Sequence, residues 1–367
     1  MNKNIEKLVK EGIKKISPYE PGKPIEELQR EYKVKKTIKL ASNENPFGPS
    51  KKVKKAIEKS IENINRYPDG SSYELKNELS KYLKLPVENI MIGSGSSEVI
   101  SLTLETFINH GEEILYPWPS FTMYRIFALK NNAIGVEIQL ENNFSYNLKK
   151  FLERITPKTK VIILCNPNNP TGTIIKKREM ENFIKNLPDD IILISDEAYF
   201  DYVESNDFGS AFPFFKEKNI IICRTFAKIY GLAGLRIGYG IANKDIIGYI
   251  ERIRPPFNVT TPSQMAVIAS LQDQKHIENV KKKTIEGKKY LYSEFKKMGI
   301  EYILSESNFI LCKFGKNTDK IVKELEKRGI IVRGMASFGL PEYIRITIGT
   351  EEENKIFINN LKDILKK

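Results

Sequence analysis

The chain reads as an α/β protein built on a largely parallel sheet, followed by a smaller α+β domain. Short, near-continuous apolar runs recur through its middle, such as V-I-I-L-C at 161–165 and I-I-L-I-S at 191–195. Runs of this kind mark strands buried on both faces of a parallel sheet. Amphipathic helical stretches alternate with them, as an α/β layer architecture requires. Polar motifs follow the runs at their carboxyl ends, where ligands of such sheets sit.

Strands are expected at 113–116, 161–165, 191–195, 220–224 and 237–241, with helices at 122–131, 176–187 and 244–254. Two long helical stretches near 262–273 and 276–298 lead into apolar segments at 309–314, 330–333 and 343–348, then a last helix from about 351. Residues 46–261 therefore read as a large domain and 262–367 as a small one. Residues 1–45 read as one helix and a proline-containing loop packed on the small domain. No repeat or low-complexity segment is present.

A length of 367 residues suits about two domains, and 41% hydrophobic with 29% charged residues is ordinary for a globular chain. The net charge is +13, from 59 basic and 46 acidic residues. The lysines are interleaved with glutamate, as in K-K-V-K-K-A-I-E-K at 51–59. That pattern is a solvated surface rather than a nucleic-acid face, although a positive field favours anionic substrates. No apolar run approaches the ~20 residues of a membrane span. With no apolar signal segment, the expected location is the cytoplasm. Cys165, Cys223 and Cys312 are far apart, so neither disulfides nor a metal site is expected. Only His110 and His276 are present, which leaves little for histidine-based catalysis.

Residues 223–240, C-R-T-F-A-K-I-Y-G-L-A-G-L-R-I-G-Y-G, carry the strongest chemical signal. Lys228 closely follows a buried run, with Thr225 before it and Arg236 after it. Desolvation and a nearby cation lower a lysine pKa and free its amine as a nucleophile. Such an amine beside a bound phosphate suits a Schiff base with pyridoxal 5'-phosphate. In N-P-N-N-P-T-G (166–172) a turn presents Asn169 at a strand end, although the motif alone is also a plain turn. In S-D-E-A-Y-F-D-Y (195–202), Asp196 suits a pyridinium partner and Tyr199 a contact to the ring hydroxyl; aspartate at such a place also serves as a helix N-cap. In G-S-G-S-S-E (93–98), Ser96 and Ser97 open a helix whose N–H groups and dipole suit phosphate, though a serine there also caps. Phe121 in Y-P-W-P-S-F-T-M-Y-R is placed to stack on a planar heterocycle or to pack in the core.

These motifs, with S-N-E-N-P-F-G-P (42–49), R-Y-P-D (66–69), G-I-I-V-R (329–333) and Y-I-R-I-T-I-G-T (343–350), resemble the pyridoxal-phosphate-dependent aminotransferases of fold type I, class II, and most of all the histidinol-phosphate aminotransferase family. The resemblance spans most of the chain in the family's order. It implies a mostly parallel seven-stranded sheet between helices, plus the smaller α+β domain. It implies that Lys228 is the Schiff-base lysine, Asp196 the partner of the pyridine nitrogen, and Asn169 with Tyr199 the pair on the ring hydroxyl. Ser96, Ser97, Thr225 and Arg236 match the phosphate cup, and Phe121 the stacking ring. Tyr67 matches a tyrosine that reaches the phosphate in the other subunit, which implies a homodimer with shared sites. Arg333 and Arg345 match arginines that grip the substrate's acidic group, and Tyr19 and Asn45 match residues beside them. Arg333 as an ordinary salt-bridging residue is the plainer reading of that position.

Two departures bear on the cofactor. Ala227 stands where the family often has serine, and Ser97 where it often has aspartate. The implied reaction is a ping-pong exchange between L-histidinol phosphate with 2-oxoglutarate and imidazole-acetol phosphate with L-glutamate, in histidine biosynthesis. An aromatic amino acid aminotransferase and a phosphothreonine decarboxylase use the same machinery and stay open as alternatives.

Overall fold

The computed structural model describes residues 3–18, 22–34 and 36–366. Its strands are, in chain order, β1 (Ile38–Lys39), β2 (Ile90–Gly93), β3 (Glu113–Trp118), β4 (Ile134–Gln139), β5 (Thr159–Cys165), β6 (Ile192–Asp196), β7 (Ile220–Thr225), β8 (Gly238–Ile241), β9 (Glu301–Tyr302), β10 (Phe309–Lys313), β11 (Ile330–Ile331), β12 (Arg333–Met335) and β13 (Leu340–Thr347). Seven of them form one sheet in the order β2-β8-β7-β6-β5-β3-β4. Strands β4, β3, β5, β6 and β7 run parallel, so their carboxyl ends share one edge.

Side chains along the central strands alternate between two apolar layers, as the period of two dictates. Ile162, Leu164, Leu193, Ile220 and Ile222 face one side with Leu75, Leu79 and Phe183. Val161, Ile163, Ile192, Ile194, Ile221 and Cys223 face the other with Ile100, Tyr124, Phe127 and Ile246. Helices Tyr73–Leu83 and Lys177–Lys185 therefore cover one face, and Ser96–Phe107, Met123–Lys130 and Lys244–Ile250 the other. Helix Thr261–Leu271, capped by Thr260 on Ser263 N–H, completes the first layer through Ala266, Val267 and Leu271.

Sequence patterning located the central strands and missed β2 and β4. Strand β4 is a half-exposed edge with no apolar run, and β2 is four residues ending in glycine. Strand β8 pairs antiparallel with both β7 and β2. The residues between β7 and β8 hold only a short 3₁₀ turn, Ala233–Leu235, and not the α-helix that usually carries a parallel crossover.

The second sheet, β12-β13-β10-β9, is covered by helices Gln274–Lys297 and Glu351–Leu365 through Leu291, Phe295, Ile310, Ile346, Phe357 and Ile358. In place of one N-terminal helix, the described residues form three short ones, Lys3–Glu6, Glu11–Lys14 and Ile25–Tyr32. Pro18 and Pro24 break the run. The first part docks on the large sheet's side, where Gly12 N–H donates to Asn132 Oδ1 at 2.9 Å. The last part joins the small sheet's side: β1 pairs parallel with β11, and Leu28 packs on Ile331.

A buried ion pair ties the carboxyl ends of β6 and β7. Glu197 accepts from Arg224 Nη2 at 2.7 Å and Nε at 3.0 Å, and from Ser210 Oγ at 2.7 Å. The guanidinium lies 3.7 Å from the centre of the Phe200 ring. Replacing Glu197 by alanine leaves Arg224 charged and buried without its partner. Equilibrium denaturant unfolding of Glu197→Ala is expected to show a loss of about 3–5 kcal/mol. A loss under about 1 kcal/mol would mean that the pair holds nothing the fold needs.

Candidate active site

At the shared carboxyl edge the sheet opens into a cavity of about 220 Å³. Several elements deliver their chemical groups to it. The turn after β5 brings Asn169, the last residue of β6 is Asp196, and β7 with the residues after it brings Thr225 and Lys228. Helix Ser96–Phe107 begins at the cavity wall, and β12 and β13 of the small sheet contribute Arg333 and Arg345.

Lys228 reaches into the cavity with Nζ 3.5 Å from the Ser42 carbonyl and 5.3 Å from the Tyr199 ring centre. Desolvation lowers its pKa to about 8, helped by the positive charge of Arg345 and opposed by Glu44. Asp196 is buried, and burial pushes its carboxyl up to about 6. Tyr124 Oη, donating to Oδ2 at 2.7 Å, and Ala198 N–H, donating to Oδ1 at 3.2 Å, act against that rise. At neutral pH the group is therefore mostly ionised, with capacity to accept a further cationic N–H.

One end of the cavity is shaped for an anion. Gly95 has φ +84°, and a Cβ there would lie 2.8 Å from Arg236 Nη2. The guanidinium thus rests against the start of helix Ser96–Phe107. A Cβ on Gly238 would meet Ser96 N at 2.5 Å, so the helix start packs directly on β8. Helix N–H groups, the Ser96 and Ser97 hydroxyls, Thr225 and Arg236 converge there, a set that suits a phosphate dianion. Thr225 Oγ1 also accepts from Ala227 N at 3.1 Å, so the hydroxyl is oriented although residue 227 has none of its own. Phe121 lines the middle of the cavity and meets Tyr124 edge-on, with centroids 5.6 Å apart.

The other end is cationic as well. Arg333 and Arg345 are paired across β12 and β13. Arg345 donates from Nη2 to the Ala41 carbonyl at 2.7 Å and from Nη1 to Asn169 Oδ1. Phe338 and Ala41 supply apolar wall beside them.

Of the expected residues, Asn45 does not line this cavity, and Tyr67, expected at the other subunit's phosphate, stands outside it. Tyr67 is 83% exposed and stacks on Phe257 at 4.7 Å. Asn45 bonds the segment after Lys228 and its own loop instead, donating to the Ile229 carbonyl at 2.7 Å and accepting from Phe47 N–H. Tyr19 lies outside the described residues. Two residues were missed. Asn43 lines the cavity in place of Asn45 and donates to Tyr199 Oη at 2.9 Å. It sits in the same S-N-E-N-P segment, and spacing alone does not say which asparagine faces inward. Tyr124, three residues after Phe121, lies in the first turn of helix Met123–Lys130, and no motif marks it as a partner of Asp196.

The free amine fraction of Lys228 depends on its lowered pKa: the group is mostly protonated below about pH 8 and mostly neutral above it. Reductive alkylation by a small neutral aldehyde, followed residue by residue with peptide mass mapping, is expected to rise at Lys228 through about pH 8. Surface lysines are expected to follow only near ~10.4. Lys228 reacting in step with the surface lysines would remove the desolvation argument.

Residues 35–361 match the family model described as aminotransferase class I and II. A histidinol-phosphate aminotransferase of Caldicellulosiruptor saccharolyticus is 45% identical over 98% of this chain and 100% of its own length. One from Moorella thermoacetica is 42% identical over 97% of this chain and 92% of its own. Among solved structures, a Sinorhizobium meliloti histidinol-phosphate aminotransferase in complex with pyridoxal-5'-phosphate superposes with TM-score 0.89 at 25% identity, covering 98% of this chain and 97% of that one. An aspartate aminotransferase from Thermotoga maritima shares the fold at 20% identity and TM-score 0.84, covering 98% of this chain and 100% of that one. A family match across nearly the whole chain, on the fold and cavity described above, makes this chain a member of the aminotransferase class I and II family.

Proposed function

We propose that this chain is a pyridoxal 5'-phosphate-dependent histidinol-phosphate aminotransferase. It exchanges an amino group between L-histidinol phosphate with 2-oxoglutarate and imidazole-acetol phosphate with L-glutamate, by a ping-pong route in histidine biosynthesis. The observation that carries this reading is a single cavity holding a desolvated lysine, a buried carboxylate, an anion cup at one end and two arginines at the other. The similarity to relatives of that name favours this substrate pair over aromatic amino acids.

The residues fit the cofactor. The Gly95 cradle against Arg236 and the helix start would receive its phosphate, and Asp196 would accept from its ring nitrogen. When bound, pyridoxal 5'-phosphate supplies an aldehyde carbon that takes up amines and a ring that holds the electron pair freed at the substrate's α carbon. Asp196 would keep the ring nitrogen protonated. Asn169 and Tyr199 would hold the ring oxygen, and Phe121 would cover a face of the ring. With the cofactor bound, Lys228 Nζ would take the proton from the substrate's α carbon and return it as an acid. A pKa near 8 suits both tasks at neutral pH. Arg345 forks onto the substrate's carboxylate or phosphate, with Arg333 as a second contact. Asn45 supports the segment after Lys228 through Ile229, and Tyr19 is assigned beside the substrate on resemblance.

The working form in this reading is a homodimer. Tyr67 stands outside its own cavity, 83% exposed, on a face with exposed Ile64 and Phe257, and reaches the second copy's phosphate site. Residues 46–261 supply the cofactor contacts and 262–367 the substrate arginines. Three buried free cysteines suit the reducing cytoplasm.

Transamination of L-histidinol phosphate, read as 2-oxoglutarate-dependent loss of amine, tests the reading. kcat/KM for histidinol phosphate is expected to exceed that for phenylalanine and tyrosine; the reverse order would reassign the substrate. Lys228→Ala is expected to lower kcat by at least about a hundredfold while the fold persists. Arg345→Lys replaces a fork by a point charge and is expected to raise KM for the phosphorylated substrate about tenfold or more. An unchanged KM would exclude Arg345 from that contact.

A further inference from the structure

We propose that Asn43 and Thr347 are positioning residues that aim the Tyr199 hydroxyl proton into the cavity, an assignment that rests on the cofactor reading above. Asn43 is buried, with φ +55°, a backbone setting that asparagine tolerates better than most residues. Its N–H donates to Thr347 Oγ1 at 3.0 Å. A hydroxyl that accepts there has its one proton left for another acceptor, and Asn43 Oδ1 lies at 3.1 Å. The two bonds together fix which way the Asn43 amide points. Its NH₂ group is thereby turned to Tyr199, donating to Oη at 2.9 Å. The Asn308 amide holds the Asn43 carbonyl at 3.0 Å, which keeps the backbone in place.

The consequence is a proton direction. Asn43 Nδ2 has no lone pair to offer, so Tyr199 cannot donate back to it. The phenol proton is left for an acceptor elsewhere, and Tyr199 lines the cavity. The cofactor's ring oxygen, anionic when bound, is an acceptor of the right kind. Arg345, Asp196 and Lys228 are the charged groups that face Tyr199, and none of them replaces the Asn43 contact. Thr347 stands two residues after Arg345 on β13, on the same face of the strand. The strand that carries the substrate guanidinium therefore also sets the donor on the ring oxygen.

The test is the pH titration of the bound cofactor's visible absorbance in the holoenzyme. A donor to the ring oxygen stabilises its anionic form and lowers the midpoint. Tyr199→Phe is expected to raise the midpoint by about one pH unit or more. Thr347→Val is expected to raise it in the same direction, and Thr347→Ser to leave it in place. The double variant Tyr199→Phe with Thr347→Val is expected to shift no further than Tyr199→Phe alone, because the threonine acts through the tyrosine. A Thr347→Val shift that adds in full to the Tyr199→Phe shift, or no Thr347→Val shift at all, overturns the proposal. No shift in Tyr199→Phe would instead overturn the cofactor assignment of Tyr199. Thr347→Ala gives the same readings should the valine variant not fold.

Discussion

The carboxylate of Asp196 is withdrawn from water at the end of a fully buried strand, and the surrounding architecture is arranged to meet its charge. A lone buried carboxylate is costly enough that it normally takes up a proton. Here two donors, Tyr124 and Ala198, keep its pKa near 6 rather than higher. A cation arriving on its free lone pairs is stabilised in turn. The site thus suits a ligand that brings a cationic N–H to the place where a parallel sheet exposes its strand ends.

Charge elsewhere in the cavity follows the same logic. Arg236 lies at one end and Arg333 and Arg345 at the other, with Lys228 between them. Burial is the main reason that Lys228 falls to about 8, and the positive charges of Arg345 and Arg236 add to it. The same cations are the groups that two oxyanions would neutralise. An anionic cofactor and an anionic substrate would therefore offset the repulsion among these cations.

The two sheets meet at this point through backbone and amide contacts. Arg345 bonds the Ala41 carbonyl and Asn169, while Thr347 and Asn308 hold Asn43. Segment 41–43 is therefore held by residues of the small sheet, and Asn43 links it to the large sheet's side by donating to Tyr199 Oη. The Glu197–Arg224 pair does comparable work beneath the cavity, fixing the spacing of β6 and β7 and hence of Asp196 and Thr225.

The sequence by itself determined the α/β class, the central strands and the main chemical groups. Lys228, Asp196, Asn169 and Thr225 were legible because each follows a buried apolar run, and a strand's carboxyl end is a place that patterning can locate. The anion cup was legible because its serines open a helix. Tertiary structure alone decided the rest. Which asparagine of S-N-E-N-P faces inward depends on the hydroxyl of Thr347, three hundred and four residues away. The direction of β8 depends on the absence of a crossover helix, and the edge strand β4 carries no apolar run to read. Local patterning reports the burial of one segment. Pairing between distant segments is set by which donors and acceptors meet after the chain has closed, and that information is present only in the assembled fold.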